Sequence, residues 1–281
     1  MYPVLFTVFG YQVRSHGVLA ALGILLGVWL AVLVARRQGR HENAILDFFF
    51  WAVIAGVVGS RLWEVAFTWD YYRTRPWEAL YIWQGGLSIQ GGLVGGVLAG
   101  IWFTRKYRIN FWDLADTMAP GILLGQGVGR VGCFLDGDTW SVVTHGPLGV
   151  TYRPETLASQ YSGGQPMYPA EMWEGVLDVV IMGFLLWLTA RQKRRRPGNI
   201  FLLYAVLYSV ARFLLEFVRR DSLTTFAGLK VAQLTSIGVL AVAAFFYWHN
   251  RRLPLMDVVG PAVPAGTDAG NGEPAPDRCD A

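Results

Sequence analysis

The chain has 281 residues, of which 53% are hydrophobic and only 16% are charged, whereas a soluble domain has about 25% charged residues. This deficit of charge excludes a soluble globular domain and indicates a protein that is solvated by lipid. The formal net charge of +4 requires no nucleic-acid partner, because the excess of Lys and Arg falls in short loops between apolar segments.

Apolar segments long enough to cross about 30 Å of hydrocarbon recur along the chain. They predict seven transmembrane helices, at about residues 15–35, 46–68, 86–104, 112–132, 172–190, 199–218 and 231–249. None of them shows the alternating pattern of a barrel strand, and a helix satisfies its own backbone hydrogen bonds in lipid. We therefore expect an all-α polytopic membrane protein.

Basic residues cluster in the loops after the first, third and fifth predicted spans and after the last one. Examples are Arg36, Arg105, Arg194 and Arg251. Because short loops rich in Lys and Arg stay on the cytoplasmic side, we expect the N-terminus outside and the C-terminus in the cytoplasm. The odd number of predicted spans agrees with this orientation.

Two segments are predicted to lie outside the membrane. The loop at about 133–171 is long enough to form a small cap on the outer side. The segment 254–281 is rich in Pro, Gly and Ala and has no apolar periodicity, so we expect a disordered cytoplasmic tail.

Polar residues in the second and third predicted spans depart from the apolar pattern. Arg61 is followed three residues later by Glu64, which permits either a self-neutralising ion pair or an arginine that contacts a ligand. Glycines surround Gln90 and predict close helix packing. Packing does not require the glutamine itself, so Gln90 is a candidate functional residue.

The fourth predicted span contains Gly121, Gly125 and Gly129, which predict a packing seam, and it ends at Arg130. Asp136 and Asp138 follow just beyond the span. The sixth predicted span carries four polar residues whose spacing puts them on one helix face: Tyr208, Arg212, Glu216 and Arg219.

Two readings of these arginines are open. The stripe in the sixth span can be a ladder of ion pairs near the interface, with Arg219 extending toward water. Alternatively, Arg130 and Arg212, which lie on different helices toward the outer leaflet, bind an anionic group at membrane depth. The planar fork of arginine matches a phosphate and stays charged when buried, which favours a lipid phosphate.

The two cysteines, Cys133 and Cys279, are far apart and form neither a metal-binding spacing nor a redox pair. We therefore expect no disulfide, no metal site and no reactive role for Cys133.

The segment Gly129-Arg130-Val-Gly-Cys133-Phe-Leu-Asp136-Gly-Asp138 resembles the signature G-R-x-G-N-F-x-N-x-E of the prolipoprotein diacylglyceryl transferases of bacterial plasma membranes. Further similar segments occur in the family's order: Ser15-His16-Gly17, Gly59-Ser-Arg61, the run from Gly86 to Gly92, the run from Tyr168 to Glu174, and the run from Tyr208 to Arg219. The resemblance covers about residues 1–250.

The chain departs from the family pattern at several positions. Members often have histidine where Gln90 stands, tyrosine at His16, asparagine at Cys133 and Asp136, and glutamate at Asp138. With no histidine at position 90, His16 is the nearest chemically suitable general base, because its unperturbed pKa lies near neutrality.

The resemblance implies transfer of the diacylglyceryl group of phosphatidylglycerol to the lipobox cysteine of a preprolipoprotein, with release of glycerol phosphate. The implied catalytic residues are Arg130, Arg212, Tyr208, Gln90 and His16. The implied substrate-binding residues are Arg130, Arg212, Asp136, Asp138, Glu174, Arg61, Glu216 and Arg219. The arginines would bind the phosphate, and no metal or other cofactor is expected. We expect a monomeric enzyme of the inner membrane whose catalytic domain spans residues 1–253.

Two other functional classes are disfavoured by the sequence. A lipid transporter or flippase should carry polar residues into the cytoplasmic half of its spans, whereas here nearly all of them lie in the outer half. A retinal-type receptor needs a lysine in its last span, and the predicted last span at about 231–249 has none.

Overall fold

The computed structural model describes residues 2–8, 11–39, 42–81, 85–192, 194–222, 224 and 228–257. Over these residues the chain is predominantly helical. Seven long helices account for most of it: α1 (Ser15–Arg37), α2 (Glu42–Phe67), α4 (Ile89–Tyr107), α5 (Phe111–Asp136), α7 (Ala170–Arg191), α8 (Asn199–Leu215) and α9 (Val231–Asn250). Shorter elements connect them: helices α3 (Trp69–Tyr72) and α6 (Leu157–Ser162), and a 3-10 turn at Pro76–Leu80.

Each predicted span overlaps one long helix, and the predicted all-α polytopic membrane fold is confirmed, whereas the predicted number of seven spans stays a prediction. Helices α1, α2, α5, α7 and α9 are long and apolar enough to cross a membrane. Helix α8 is apolar but has 17 residues, and the glycine-rich α4 has 19. The orientation of the helices in the membrane stays a prediction.

An N-terminal hairpin was absent from the sequence prediction. Strands β1 (Val4–Val8) and β2 (Tyr11–Arg14) pair antiparallel immediately before α1. The signal for it is a pair of short runs rich in β-branched and aromatic residues on either side of a glycine, which is typical of a hairpin.

Helix α5 lies at the centre of the bundle. It packs against α1 on one side and α7 on the other, and it also contacts α8. Helix α2 packs on α1 and on α4, α4 also contacts α5, and α9 packs on α8. Side chains near the end of α5 can therefore meet residues from α1, α7 and α8.

Glycines make the closest helix contacts, as the sequence predicted. A Cβ atom added to Gly27 on α1 would lie 2.5 Å from the carbonyl oxygen of Gly121 on α5, and one added to Gly59 on α2 would lie 2.5 Å from the carbonyl oxygen of Gly91 on α4. Gly125 also faces α1. The prediction was wrong for Gly129, because a Cβ there would meet nothing within 4 Å.

This seam makes Gly27 sensitive to the smallest substitution. We expect Gly27→Ala to lower the thermal unfolding midpoint of the detergent-purified protein, because α1 and α5 must separate, at a cost of about 1–3 kcal/mol. The matched control is Gly183→Ala on α7, where a Cβ meets nothing within 4 Å and alanine favours the helix by up to about 1 kcal/mol. Equal midpoints for the two variants would contradict the seam.

The predicted cap region packs as a small unit between α5 and α7. It starts at residue 137 rather than 133 and ends at residue 169 rather than 171, because both helices extend beyond the apolar segments that predict them. Tyr152, Ala158 and Met167 form its buried apolar cluster. Backbone bridges link Val143 and Val150 to Met167. That this unit lies outside the cell stays a prediction.

The opposite end of the bundle is stabilised by a buried ion pair. Asp116 of α5 accepts hydrogen bonds from the backbone N–H groups of Gly198 and Phe201, at 2.9 and 2.8 Å, and thereby caps α8. Its Oδ2 also lies 3.5 Å from Nε of the buried Arg195. Arg195 belongs to strand β3 (Arg194–Arg195), which pairs with β4 (Met256–Asp257). The tail was predicted to be disordered from residue 254, so this pairing corrects its start; residues 258–281 lie outside the described residues.

Candidate active site

Four side chains converge on the carboxylate of Glu174, and we call these five residues the Glu174 cluster. Arg130 Nη2 lies 2.6 Å from Glu174 Oε1, and the Tyr208 hydroxyl donates to the same oxygen at 3.1 Å. Arg212 Nη1 and Arg219 Nη1 donate to Oε2 at 3.1 and 3.4 Å. Glu174 is 1% exposed. A buried carboxylate thus holds three guanidinium groups together.

The helices bring these residues together at one end of the bundle. Glu174 lies near the start of α7, Arg130 near the end of α5, Tyr208 and Arg212 in the second half of α8, and Arg219 just beyond it. Glycines allow α5 and α7 to approach, since a Cβ on Gly175 would lie 3.3 Å from Arg130 Cβ.

The predicted stripe is only partly on α8, because the helix ends at Leu215: Tyr208 and Arg212 lie on it, Glu216 is its C-cap, and Arg219 lies beyond it. Arg212 Nη2 pairs with Glu216 at 3.2 Å, one turn along the helix. Arg212 and Arg219 also cross to Glu174 on α7, and Arg219 Nε pairs with Asp221 at 3.0 Å. A ladder of ion pairs within α8 therefore does not account for all the contacts of these arginines.

Two arginines of the cluster have donors to spare. A guanidinium has five N–H donors. The side chains of Arg130 and Arg212 are 24% and 16% exposed, compared with 5% for Arg219. Arg130 and Arg212 can therefore keep their bonds to Glu174 and still donate to an incoming anion.

A second group of residues lies beside Arg130. His16 is at the start of α1, and its Nδ1 is 3.5 Å from the Sγ of Cys133 on α5. Asp138, just beyond α5, contributes a carboxylate, and the ligand atoms of the three side chains all lie within 4.8 Å of one another. Burial raises the pKa of Asp138.

Asp136 and Asp138 do not hold the arginines of the cluster. Asp136 is buried and lies 3.7 Å from Nη1 of Arg14, which comes from the hairpin. Asp138 lies with His16 and Cys133. The sequence allows Asp136, Asp138 and Glu174 either to fix the arginines or to bind the glycerol hydroxyls of the substrate. Among the described contacts, Glu174 is the one of the three that pairs with the arginines of the cluster, and binding of the glycerol hydroxyls stays a prediction.

Gln90 lies at the start of α4 and is exposed. Its Oε1 accepts a hydrogen bond from Ser88 Oγ at 2.7 Å. Over the residues that the structure describes, no hydrogen bond or ion pair joins Gln90 to the Glu174 cluster. Its catalytic role stays a prediction.

Arg61 binds the backbone of the segment that leads from α3 to α4. Its guanidinium donates to the carbonyl oxygens of Ala79, Gly85 and Gly86 at 2.8–2.9 Å, and also to that of Glu78. The guanidinium also lies over the ring of Tyr72. The described contacts include no Arg61–Glu64 ion pair, so the ion-pair reading was wrong. Substrate binding by Arg61 stays a prediction.

Loss of these bonds should loosen the segment between α3 and α4. We expect Arg61→Gln to raise the rate of limited proteolysis within residues 73–88 by at least about tenfold, because each hydrogen bond from a charged donor contributes about 1.5–3 kcal/mol. The control is Arg73→Gln, whose exposed partner Asp70 lies 3.9 Å away and which should contribute less than about 1 kcal/mol. Similar cleavage rates for the two variants would refute this role.

Three residues were missed in the sequence analysis. Lys230 lies outside the spans, and its ammonium lies 3.8 Å from Glu216 Oε1 and donates to the carbonyl oxygens of Glu216 and Arg219. Asp178 is a buried carboxylate one turn after Glu174, and its position inside a predicted span was the available signal. Cys133 was assigned no role, and only the packing of α1 on α5 reveals its histidine neighbour.

Comparison with known proteins identifies the family of the chain. The family model described as prolipoprotein diacylglyceryl transferase matches residues 3–270. Among the most similar relatives are proteins named phosphatidylglycerol–prolipoprotein diacylglyceryl transferase. The one from Bacillus licheniformis is 35% identical over 89% of this chain and 92% of its own length. Those from Staphylococcus saprophyticus and Thermosynechococcus vestitus are 35% and 32% identical, covering 92% and 86% of this chain and 94% and 91% of their own lengths. The chain therefore belongs to the prolipoprotein diacylglyceryl transferase family.

Proposed function

We infer that this chain transfers the diacylglyceryl group of phosphatidylglycerol to the thiol of a prolipoprotein's lipobox cysteine, forming a thioether and releasing glycerol phosphate. The observation that carries this inference is the convergence of three arginines on one buried carboxylate, in a membrane-spanning chain whose relatives bear that activity in their names. The cluster offers positive charge at the depth of a lipid headgroup.

In this proposal Arg130 and Arg212 bind the phosphate of the donor lipid. The leaving oxygen gains negative charge as the carbon–oxygen bond to the diacylglyceryl group breaks. Forked donors already held in place by Glu174 stabilise that charge, and one such donor contributes about 3–4 kcal/mol in a water-excluded site. Tyr208 and Arg219 keep Glu174 oriented, so they act as positioning residues.

The acceptor thiol poses a separate problem. A free cysteine has a pKa near 8.5, so only a few per cent is thiolate at neutral pH. His16 and Asp138 are titratable side chains that lie beside Cys133, one helical turn after Arg130. We propose that this group promotes loss of the proton from the acceptor thiol, so that it reacts as a thiolate.

The proposed orientation puts the cluster on the outer face of the bacterial inner membrane. The starts of α1 and α7 and the end of α5 carry the cluster and its neighbours, whereas the ends of α1, α4 and α7 carry basic residues in their last turns. Basic ends remain in the cytoplasm. We also propose that the enzyme is a monomer.

The direct test combines the purified full chain, phosphatidylglycerol and a lipobox peptide. We expect the peptide to gain the mass of one diacylglyceryl group and glycerol phosphate to appear in equal amount. A peptide with serine in place of the cysteine should stay unmodified. Movement of labelled phosphatidylglycerol between leaflets, with no change in peptide mass, would instead identify a lipid transporter and refute the proposal.

A further inference from the structure

His16, Cys133 and Asp138 form a compact group of three different metal-binding side chains. Their ligand atoms lie within 4.8 Å of one another, and His16 Nδ1 is 3.5 Å from Cys133 Sγ. The histidine comes from α1 and the other two residues from α5 and the turn after it. Because 117 positions separate His16 from Cys133, sequence spacing could not reveal the group.

The separation of the nitrogen and sulfur atoms matches zinc coordination. Zinc lies about 2.0–2.1 Å from histidine nitrogen and about 2.3 Å from cysteine sulfur, so tetrahedral geometry puts these two ligands about 3.6 Å apart. The observed 3.5 Å needs almost no adjustment. A mixed set of imidazole, thiolate and carboxylate suits zinc and is unlike the all-oxygen sets that bind magnesium or calcium.

An independent observation concerns the carboxylate. Asp138 Oδ1 is buried and has no hydrogen-bond partner among the described residues. A buried carboxylate oxygen without a partner is costly, and a cation bound by His16 and Cys133 would satisfy it. The same three positions are among those where the chain departs from the residues common in its family.

Three protein ligands leave one tetrahedral position open, as in catalytic zinc sites. The group lies beside the proposed phosphate site, because Cys133 is one helical turn after Arg130 on α5. We propose that His16, Cys133 and Asp138 bind Zn²⁺ and that its fourth ligand is the thiol of the acceptor cysteine. This inference rests on the proposed function.

The step balances without a redox partner. On binding zinc, the acceptor thiol loses its proton to water and becomes a thiolate. Its sulfur attacks the diacylglyceryl carbon that carries the phosphate ester, a carbon–sulfur bond forms, and the carbon–oxygen bond breaks. Glycerol phosphate leaves with the electron pair on an oxygen held by Arg130 and Arg212. His16 then serves as a metal ligand and not as the general base that the sequence predicts.

Metal content tests the site separately from activity. We expect the purified full chain to hold about one zinc ion, and the cobalt form to show a thiolate-to-cobalt charge-transfer band. Cys133→Ser should remove that band and weaken metal binding more than about 100-fold, since even residues that only support a ligand contribute 10–100-fold. Asp138→Asn should weaken binding but keep the band, because the thiolate remains. Cys279→Ser is the matched control and should change neither property.

Folding of each variant is checked by its elution as a single species and its helical circular dichroism. A cobalt band that survives in folded Cys133→Ser, or zinc binding that is equal in folded His16→Phe and the unaltered protein, would overturn the site.

The acceptor thiol is tested with the cobalt protein and two peptides. Adding the lipobox peptide should strengthen the charge-transfer band, because a second thiolate joins the metal, and the serine peptide should leave it unchanged. Full transfer by protein freed of metal would overturn the zinc inference and leave the proposed function standing. Coordination of the peptide thiol with no diacylglyceryl transfer would support the zinc site and refute the proposed function.

Discussion

The single substitutions Arg130→Lys and Arg212→Lys should each lower the rate of diacylglyceryl transfer by about 10²–10³-fold, which is the loss found when one charge-stabilising donor is removed. Lysine keeps the positive charge and can still pair with Glu174. It lacks the planar fork that would donate to Glu174 and to a phosphate at once. The measurement is the initial rate of transfer by membranes that contain equal amounts of folded protein.

The control is Arg153→Lys, in which the arginine is half exposed and pairs with Glu155 at 3.5 Å. Its rate should stay within twofold of the unaltered protein, because an exposed ion pair contributes less than about 1 kcal/mol. Near-normal rates for both Arg130→Lys and Arg212→Lys would exclude the phosphate-binding role, since a simple ion pair needs only a point charge.

Glu174→Gln should be the most damaging substitution of one residue in the cluster. It leaves three guanidinium groups without their shared carboxylate in a region where the Glu174 side chain is 2% exposed. Removing one partner of a buried ion pair costs about 3–5 kcal/mol. We expect a lower thermal unfolding midpoint together with loss of transfer, both measured on the same purified sample.

Two further variants, one conservative and one at an exposed control position, help to interpret the effect of Glu174→Gln. Glu174→Asp keeps the charge and should recover more stability than activity, because the shorter side chain cannot reach all three arginines in the original geometry. Glu155→Gln, at a carboxylate with 54% side-chain exposure, should change neither property. If Glu174→Gln has the midpoint and rate of the unaltered protein, the carboxylate does not organise the arginines.

The helices and the two principal arginines could be predicted because lipid imposes simple constraints. A span must be apolar over its length, so an arginine inside it stands out, and helical periodicity shows that Arg212 and Glu216 share a face. Both inferences use residues close in sequence. They required no knowledge of which helix is the neighbour of which.

The organising residue and the second cluster could not be predicted in the same way. The position of Glu174 depends on α7 packing between α5 and α8, and that of His16 depends on glycine contacts between α1 and α5. Arg61 illustrates a different difficulty. Its partners are backbone carbonyl oxygens of a loop, and these groups are the same in every sequence.

The location of the Glu174 cluster at helix ends, within a bundle whose outer surface is apolar, affects how the enzyme meets its donor. At the proposed headgroup depth, a phospholipid would reach Arg130 by lateral diffusion with its acyl chains still in the hydrocarbon, and the encounter would take place in two dimensions. The relevant concentration is then the mole fraction of phosphatidylglycerol in the membrane. In mixed micelles, we expect added neutral detergent to slow transfer at constant bulk lipid concentration, whereas enlarging the sample volume at constant lipid-to-detergent ratio should not.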